Sequence, residues 1–89
     1  MDINQDEAEI LEGIVKDVNE MIIETKQTRQ ELNEAKQHLE QLNHANKVEL
    51  LDYTIQKERI RESETRANDC MKKLERQKKI AIHRLMQLN

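Results

Sequence analysis

The sequence predicts an all-α protein: one long, mostly continuous helix that assembles as a coiled coil. Three observations carry that expectation. Leu11, Val18, Thr25, Leu32 and Leu39 recur every seven residues, and Ile14, Met21, Thr28, Ala35 and Leu42 follow each of them by three. A 3.5-residue repeat keeps one stripe of a helix against a partner. The 89 residues include no Pro, Phe or Trp and only one Tyr, so the large aromatic side chains that fill compact cores are missing. Finally, 37% of residues are charged, and Glu, Lys, Gln, Leu, Ile, Ala and Arg, the formers of long helices, are abundant. With the first series named a and the second d, the remaining heptad positions follow.

Residues 1–5 read as a frayed start. Asn4 and Glu7 have the spacing of a capping box, and Asp6, Glu7 and Glu9 fill a first turn where carboxylates are favoured. The strong heptad segment spans residues 10–42. In its first half the apolar surface is wide, with Ile10 at g, Val15 and Ile22 at e, and Ile23 outside the seam. A two-stranded zipper needs only a and d, so this breadth suits a thicker dimer core, a trimer or tetramer, or a docked helix from another protein. Gly13 lies away from the seam, at a cost of about 1 kcal/mol relative to Ala.

From Glu24 onward the pattern narrows to a zipper. In a parallel, in-register dimer each g residue meets e of the partner five positions later. That pairs Glu24 with Arg29, Glu31 with Lys36, Asp52 with Lys57 and Arg59 with Glu64, all opposite in sign, and only Lys73 with Lys78 is repulsive. Asn46 falls at a, where a buried Asn sets register, and the frame passes through it without a phase change. The parallel dimer is therefore the favoured assembly.

An antiparallel helical hairpin with its turn near residues 43–46 is the alternative. Asn43 suits a left-handed helix end, and Asn46 with Glu49 forms a second capping box. Folding back there sets Glu31 beside Arg59, Glu24 beside Arg66 and Asp17 beside Lys73. It also aligns Leu39 with Leu51, Val18 with Met71 and Ile10 with Ile80. The turn lacks the Gly that commonly marks such a helix end.

Residues 43–69 form a weaker, polar segment. Tyr53 and Ile60 continue the seam, while Val48, Leu51 and Ile55 lie off it as a docking candidate. Residues 70–88 form a basic amphipathic segment with Cys70, Leu74 and Leu88 on the apolar side. Lys72, Lys73, Arg76, Lys78, Lys79 and Arg84 make a basic patch. Such a helix suits an acidic partner, but without an aromatic anchor a calmodulin-like groove or a membrane surface is disfavoured.

The expected seam is therefore Leu11, Ile14, Val18, Met21, Leu32, Ala35, Leu39, Leu42, Asn46, Tyr53, Ile60, Cys70, Leu74 and Leu88. The docking candidates are Ile10, Val15, Ile22, Ile23, Val48, Leu51 and Ile55. Net charge is -3, so a nucleic-acid partner is disfavoured. There is no Gly-rich phosphate loop or Cys-x-x-Cys pair, and the i,i+4 pairs Glu34–His38 and Glu40–His44 are ordinary on a charged helix. No enzyme activity, cofactor, metal or small-molecule substrate is expected. No apolar run spans a bilayer, the first residues are acidic where a signal peptide is basic, and Cys70 is the lone cysteine. These features point to an intracellular, cytoplasmic structural or scaffold protein. It would associate with itself or with other helical proteins, the cytoskeleton being one setting where such rods serve. A hairpin adaptor within a larger complex, or a module docking an acidic partner through its basic end, are the alternative functions.

Overall fold

A computed structural model describes residues 3–88 as two α-helices, α1 (Ile3–His44) and α2 (Leu50–Leu88), with no strand among the described residues. The helices pack antiparallel in a narrow hairpin measuring 67 × 15 × 14 Å between Cα atoms. The all-α class is as the sequence predicts, and of its two arrangements the hairpin is the one adopted. A continuous helix of this length would extend about 125 Å. It is interrupted instead between His44 and Leu50.

The interruption has a specific backbone cause. The Lys47 amide donates to the Leu42 carbonyl at 2.9 Å and the Asn46 amide donates to the Asn43 carbonyl at 3.1 Å. Those two bonds are the Schellman pattern, which satisfies the last carbonyls of a helix when the next residue turns left-handed. Asn46 is that residue, with φ of 55°. Asn tolerates this conformation because its short polar side chain can bond locally. Asn46 is thus an exposed helix terminator and not a buried register residue, while Asn43 stays helical. The Tyr53 amide donates to the Glu49 carbonyl at 2.9 Å, so Glu49, not Asn46, caps α2.

At the other end the helix already includes Ile3 and Asn4, so Asn4 is not the N-cap; Met1 and Asp2 lie outside the described residues. Gly13 serves no close approach, since a Cβ there would meet nothing within 4 Å.

The buried stripe is not the a/d seam expected from the heptads. Each helix buries a together with e. In α1, Leu11, Val15, Val18, Ile22, Leu32, Lys36 and Leu39 face inward. In α2, Tyr53, Ile60, Glu64, Ala67, Met71, Leu74, Lys78, Ala81, Leu85 and Leu88 do so. Position e lies closer to a around a helix than d does, and any pair of stripes separated alternately by three and four residues can make a seam. The choice is decided by α2, whose d series reads Gln56, Ser63, Cys70, Gln77 and Arg84 and has almost nothing apolar to bury. Its e series offers Met71 and Leu85, and α1 matches them with Val15 and Ile22.

Packing is densest toward the open end, where Val18, Ile22, Met71 and Leu74 form one cluster, each under a tenth exposed. The middle of the seam is weaker. Thr25 bonds back to the Met21 carbonyl at 2.8 Å, and Lys36 and Glu64 are only half-buried.

Beyond the cluster, Arg84 of α2 grips Glu7 of α1 through two bonds of 2.7 and 3.2 Å. The Arg84 guanidinium, chiefly by hydrogen bonding, holds the Glu7 carboxyl below its ordinary value near 4.5. The pair's contribution is therefore complete above that ordinary value and disappears as pH falls through the folded one. We expect the melting temperature to fall on acidification below about pH 4.5 by less in Glu7→Gln than in the native chain. Thermal melts between pH 3 and 7 check this, and identical pH profiles would show the pair to be ineffective.

Candidate functional site

A hairpin has two broad faces, and here they differ in chemistry. Around each helix the seam is flanked on one side by position d and on the other by b, with g beyond d and f beyond b. Antiparallel helices that share an a/e seam carry their d positions on the same face. One groove of the hairpin shows this directly: Thr28, Ser63 and Cys70, all at d, line it together with Thr25, Leu32, Arg66 and Ala67. The opposite face carries grooves lined by Lys26, Arg29, Asn33, Lys36, Lys57, Arg61, Glu64 and Asn68. That face is polar and cationic in its middle.

The d face presents the apolar stripe that the hairpin leaves over. Ile14 is 42% exposed, Met21 49%, and Ile10 on the adjoining g shoulder 65%. Ala35 is also exposed and Leu42 half-buried along the same line. Cys70, expected in a seam, is an exposed free thiol on α2 of this face. The residues placed in the seam by sequence thus divide. Leu11, Val18, Leu32, Leu39, Tyr53, Ile60, Leu74 and Leu88 pack within the hairpin. Ile14, Met21, Ala35 and Cys70 lie outside it, Leu42 borders it, and Asn46 is in the turn.

The docking candidates divide as well. Val15 and Ile22 are absorbed by the intramolecular seam, whereas Ile10, Ile23, Leu51 and Ile55 are exposed and Val48 is half-buried in the connection. Leu50, Ile80, Ile82 and Met86 are further exposed apolar residues that do not stand among the docking candidates.

Nor does the basic segment form one patch. Arg84 is committed to Glu7, and Lys78 is half-buried at the seam. Lys72, Arg76 and Lys79 share an outer groove with Glu75, and Lys73 is at g, beyond d on the other side of the helix. Residues at f, c, e, d and g point all around a helix, so their closeness in sequence does not become closeness in space.

The hairpin pairs Glu31–Arg59, Glu24–Arg66 and Asp17–Lys73 drawn from sequence do not form. Among the described residues the ion pairs are Arg84–Glu7 and Arg61–Glu58. All six partners of the missing pairs are at g, on opposite outer shoulders of one face, with both helices between them. For the same reason Ile10 and Ile80 do not meet and are 65% and 64% exposed. Lys57 turns to Tyr53, its ammonium 5.5 Å from the ring centre, in a cation–π contact on α2 itself.

No group of three or more His, Cys, Asp or Glu is gathered among the described residues, and none of the described helices is long and apolar enough to cross a membrane. The chemistry this arrangement offers is association: an apolar stripe with charged borders, set on a rod. No family model, curated protein or solved structure matches this chain.

Proposed function

We propose that the chain is a non-enzymatic assembly element, a helical hairpin whose d face is completed by helices from another chain. The carrying observation is that Ile14 and Met21 stay 42% and 49% exposed although α1 already has one helical neighbour. A helix with two adjacent apolar stripes is built for two neighbours. The surface area agrees with this. A compact chain of 10.6 kDa exposes about 5,500 Å², whereas this one exposes 7237 Å². Its radius of gyration is 19.8 Å, against about 12 Å for a compact domain of this length. An intracellular, cytoplasmic setting goes with this reading, as does a scaffold role in assemblies such as those of the cytoskeleton.

The experiment compares the native chain with the double variant Ile14→Gln, Met21→Gln by size in extracts of the cells that produce it. The native chain is expected in a species larger than the hairpin alone. The variant, whose helix content should be unchanged because both sites are exposed, is expected at hairpin size. A native chain that runs at hairpin size in extract overturns the reading.

A further inference from the structure

We infer that the partner of the d face is a second copy of this chain, related by a two-fold axis along the hairpin, so that α1 of each copy lies antiparallel on α2 of the other. This rests on the assembly reading above and names its partner. The hairpin leaves three charge pairs unmade.

Asp17, Glu24 and Glu31 form an acidic shoulder along α1, and Lys73, Arg66 and Arg59 form a basic shoulder along α2 of the same face. Each acid lies at about the height of its base in the hairpin, because the register that joins Glu7 to Arg84 sums to 91 and these pairs sum to 90. They are kept apart only by the width of the two helices.

Rotating a second hairpin by 180° about the long axis and laying it face to face brings α2 of the copy over α1 at the same height. Every g residue then meets g of the copy on the solvent edge of the new seam. Asp17 meets Lys73, Glu24 meets Arg66 and Glu31 meets Arg59 of the second copy. Each pair occurs twice, giving six attractive contacts, and Ile10 covers Ile80 at the open end. Within the new seam the apolar d stripe of α1 meets the mixed d stripe of α2. Met21 lies over Cys70 of the copy, Ile14 over Gln77, Thr28 over Ser63 and Ala35 over Gln56, so apolar burial there is partial and the charges at the edges set the pairing. The product is a four-helix bundle with all neighbours antiparallel.

Turning the copy end over end instead lays α1 on α1. That sets the apolar d stripes of α1 together but places Glu24 near Glu24 and Arg66 near Arg66. Like charges at these edges are repulsive, so charge selects the first arrangement. Area permits it: the surplus over a compact chain, about 1,700 Å², is roughly twice what each partner buries in an interface of standard size.

The test uses purified protein and two sets of variants. The native chain should sediment as a dimer whose dissociation constant rises with salt. The triple variant Arg59→Glu, Arg66→Glu, Lys73→Glu should keep its helix content and bind itself roughly 30-fold or more weakly, from six lost pairs of a few tenths of a kcal/mol each. Mixing it with Asp17→Lys, Glu24→Lys, Glu31→Lys should restore a mixed dimer.

Met21→Cys, oxidised at low concentration, should give a covalent dimer through position 21 of one copy and Cys70 of the other. A native dimer that tightens with salt, or a Met21→Cys chain that gives no 21-to-70 link between copies, overturns the arrangement. A purified chain that stays monomeric but runs in a larger species in extract removes the second copy as partner, while leaving the assembly reading intact.

Discussion

Truncation of Leu74 to Ala is expected to cost about 2–4 kcal/mol. Leu74 is 6% exposed and belongs to the one buried cluster, with Val18, Ile22 and Met71. A two-helix seam has few atoms free to close a void, so most of the cavity should persist. At roughly 4–8 °C per kcal/mol for a domain of this size, the melting temperature should fall by about 10 °C or more. The same truncation of Leu51, which is 70% exposed, should have little effect on the isolated hairpin. Circular dichroism melts of the two variants give the comparison, and equal shifts would show that the cluster is not the centre of stability.

Replacing Asn46 by Ile is expected to change the shape of the molecule as well as its stability. A β-branched residue at φ of 55° meets the steric penalty of the left-handed region, about 1–2 kcal/mol. Relief is available in a form the native chain does not adopt. The heptad frame runs through residues 45–49 in phase, so a helix continued through the turn places both halves on one stripe. The Asn46→Ile chain should therefore melt lower, and its largest dimension in solution scattering should move from the 67 Å of the hairpin toward the roughly 125 Å of a continuous rod. Asn46→Gly, which accepts φ above zero freely, should keep the native dimension. A lower melting temperature with no growth in length would show that the extended form is out of reach. Unchanged stability would contradict the left-handed turn itself.

Much of the architecture was legible in the residues. Heptad spacing, absent aromatics and abundant helix formers gave the all-α class, and the turn was placed within a few residues as the alternative. The choice between rod and hairpin was not legible, for a physical reason. A frame in phase across a turn permits continuity but does not require it. Here both helices use a/e, and a seven-residue repeat continues equally well in a folded chain. The polar d series from Gln56 to Arg84 was the signal that α2 buries another stripe.

The turn residue was misjudged because two uses of Asn compete at Asn46. A buried partner at a and a left-handed helix end both favour Asn, and the helix end won, with the Asn46 amide donating to the Asn43 carbonyl and the Lys47 amide to the Leu42 carbonyl. The exposed apolar face was half legible. Ile14, Met21, Ala35 and Cys70 read as seam residues in the sequence, and Val15 and Ile22 group there with Ile10 as docking candidates, since width of apolar surface does not say which part a neighbouring helix will take.

Because the hairpin brings residues 3 and 88 to one end, a pull applied between them would unzip the seam and not shear it. Load would fall on one layer at a time, beginning with the Glu7–Arg84 clasp and then the Val18–Leu74 cluster. The best-packed layers thus stand first in line, and the polar middle behind them, around Lys36 and Glu64, offers less resistance. Such an element would hold up to a threshold and then open in one step, behaving as a latch and not as a spring.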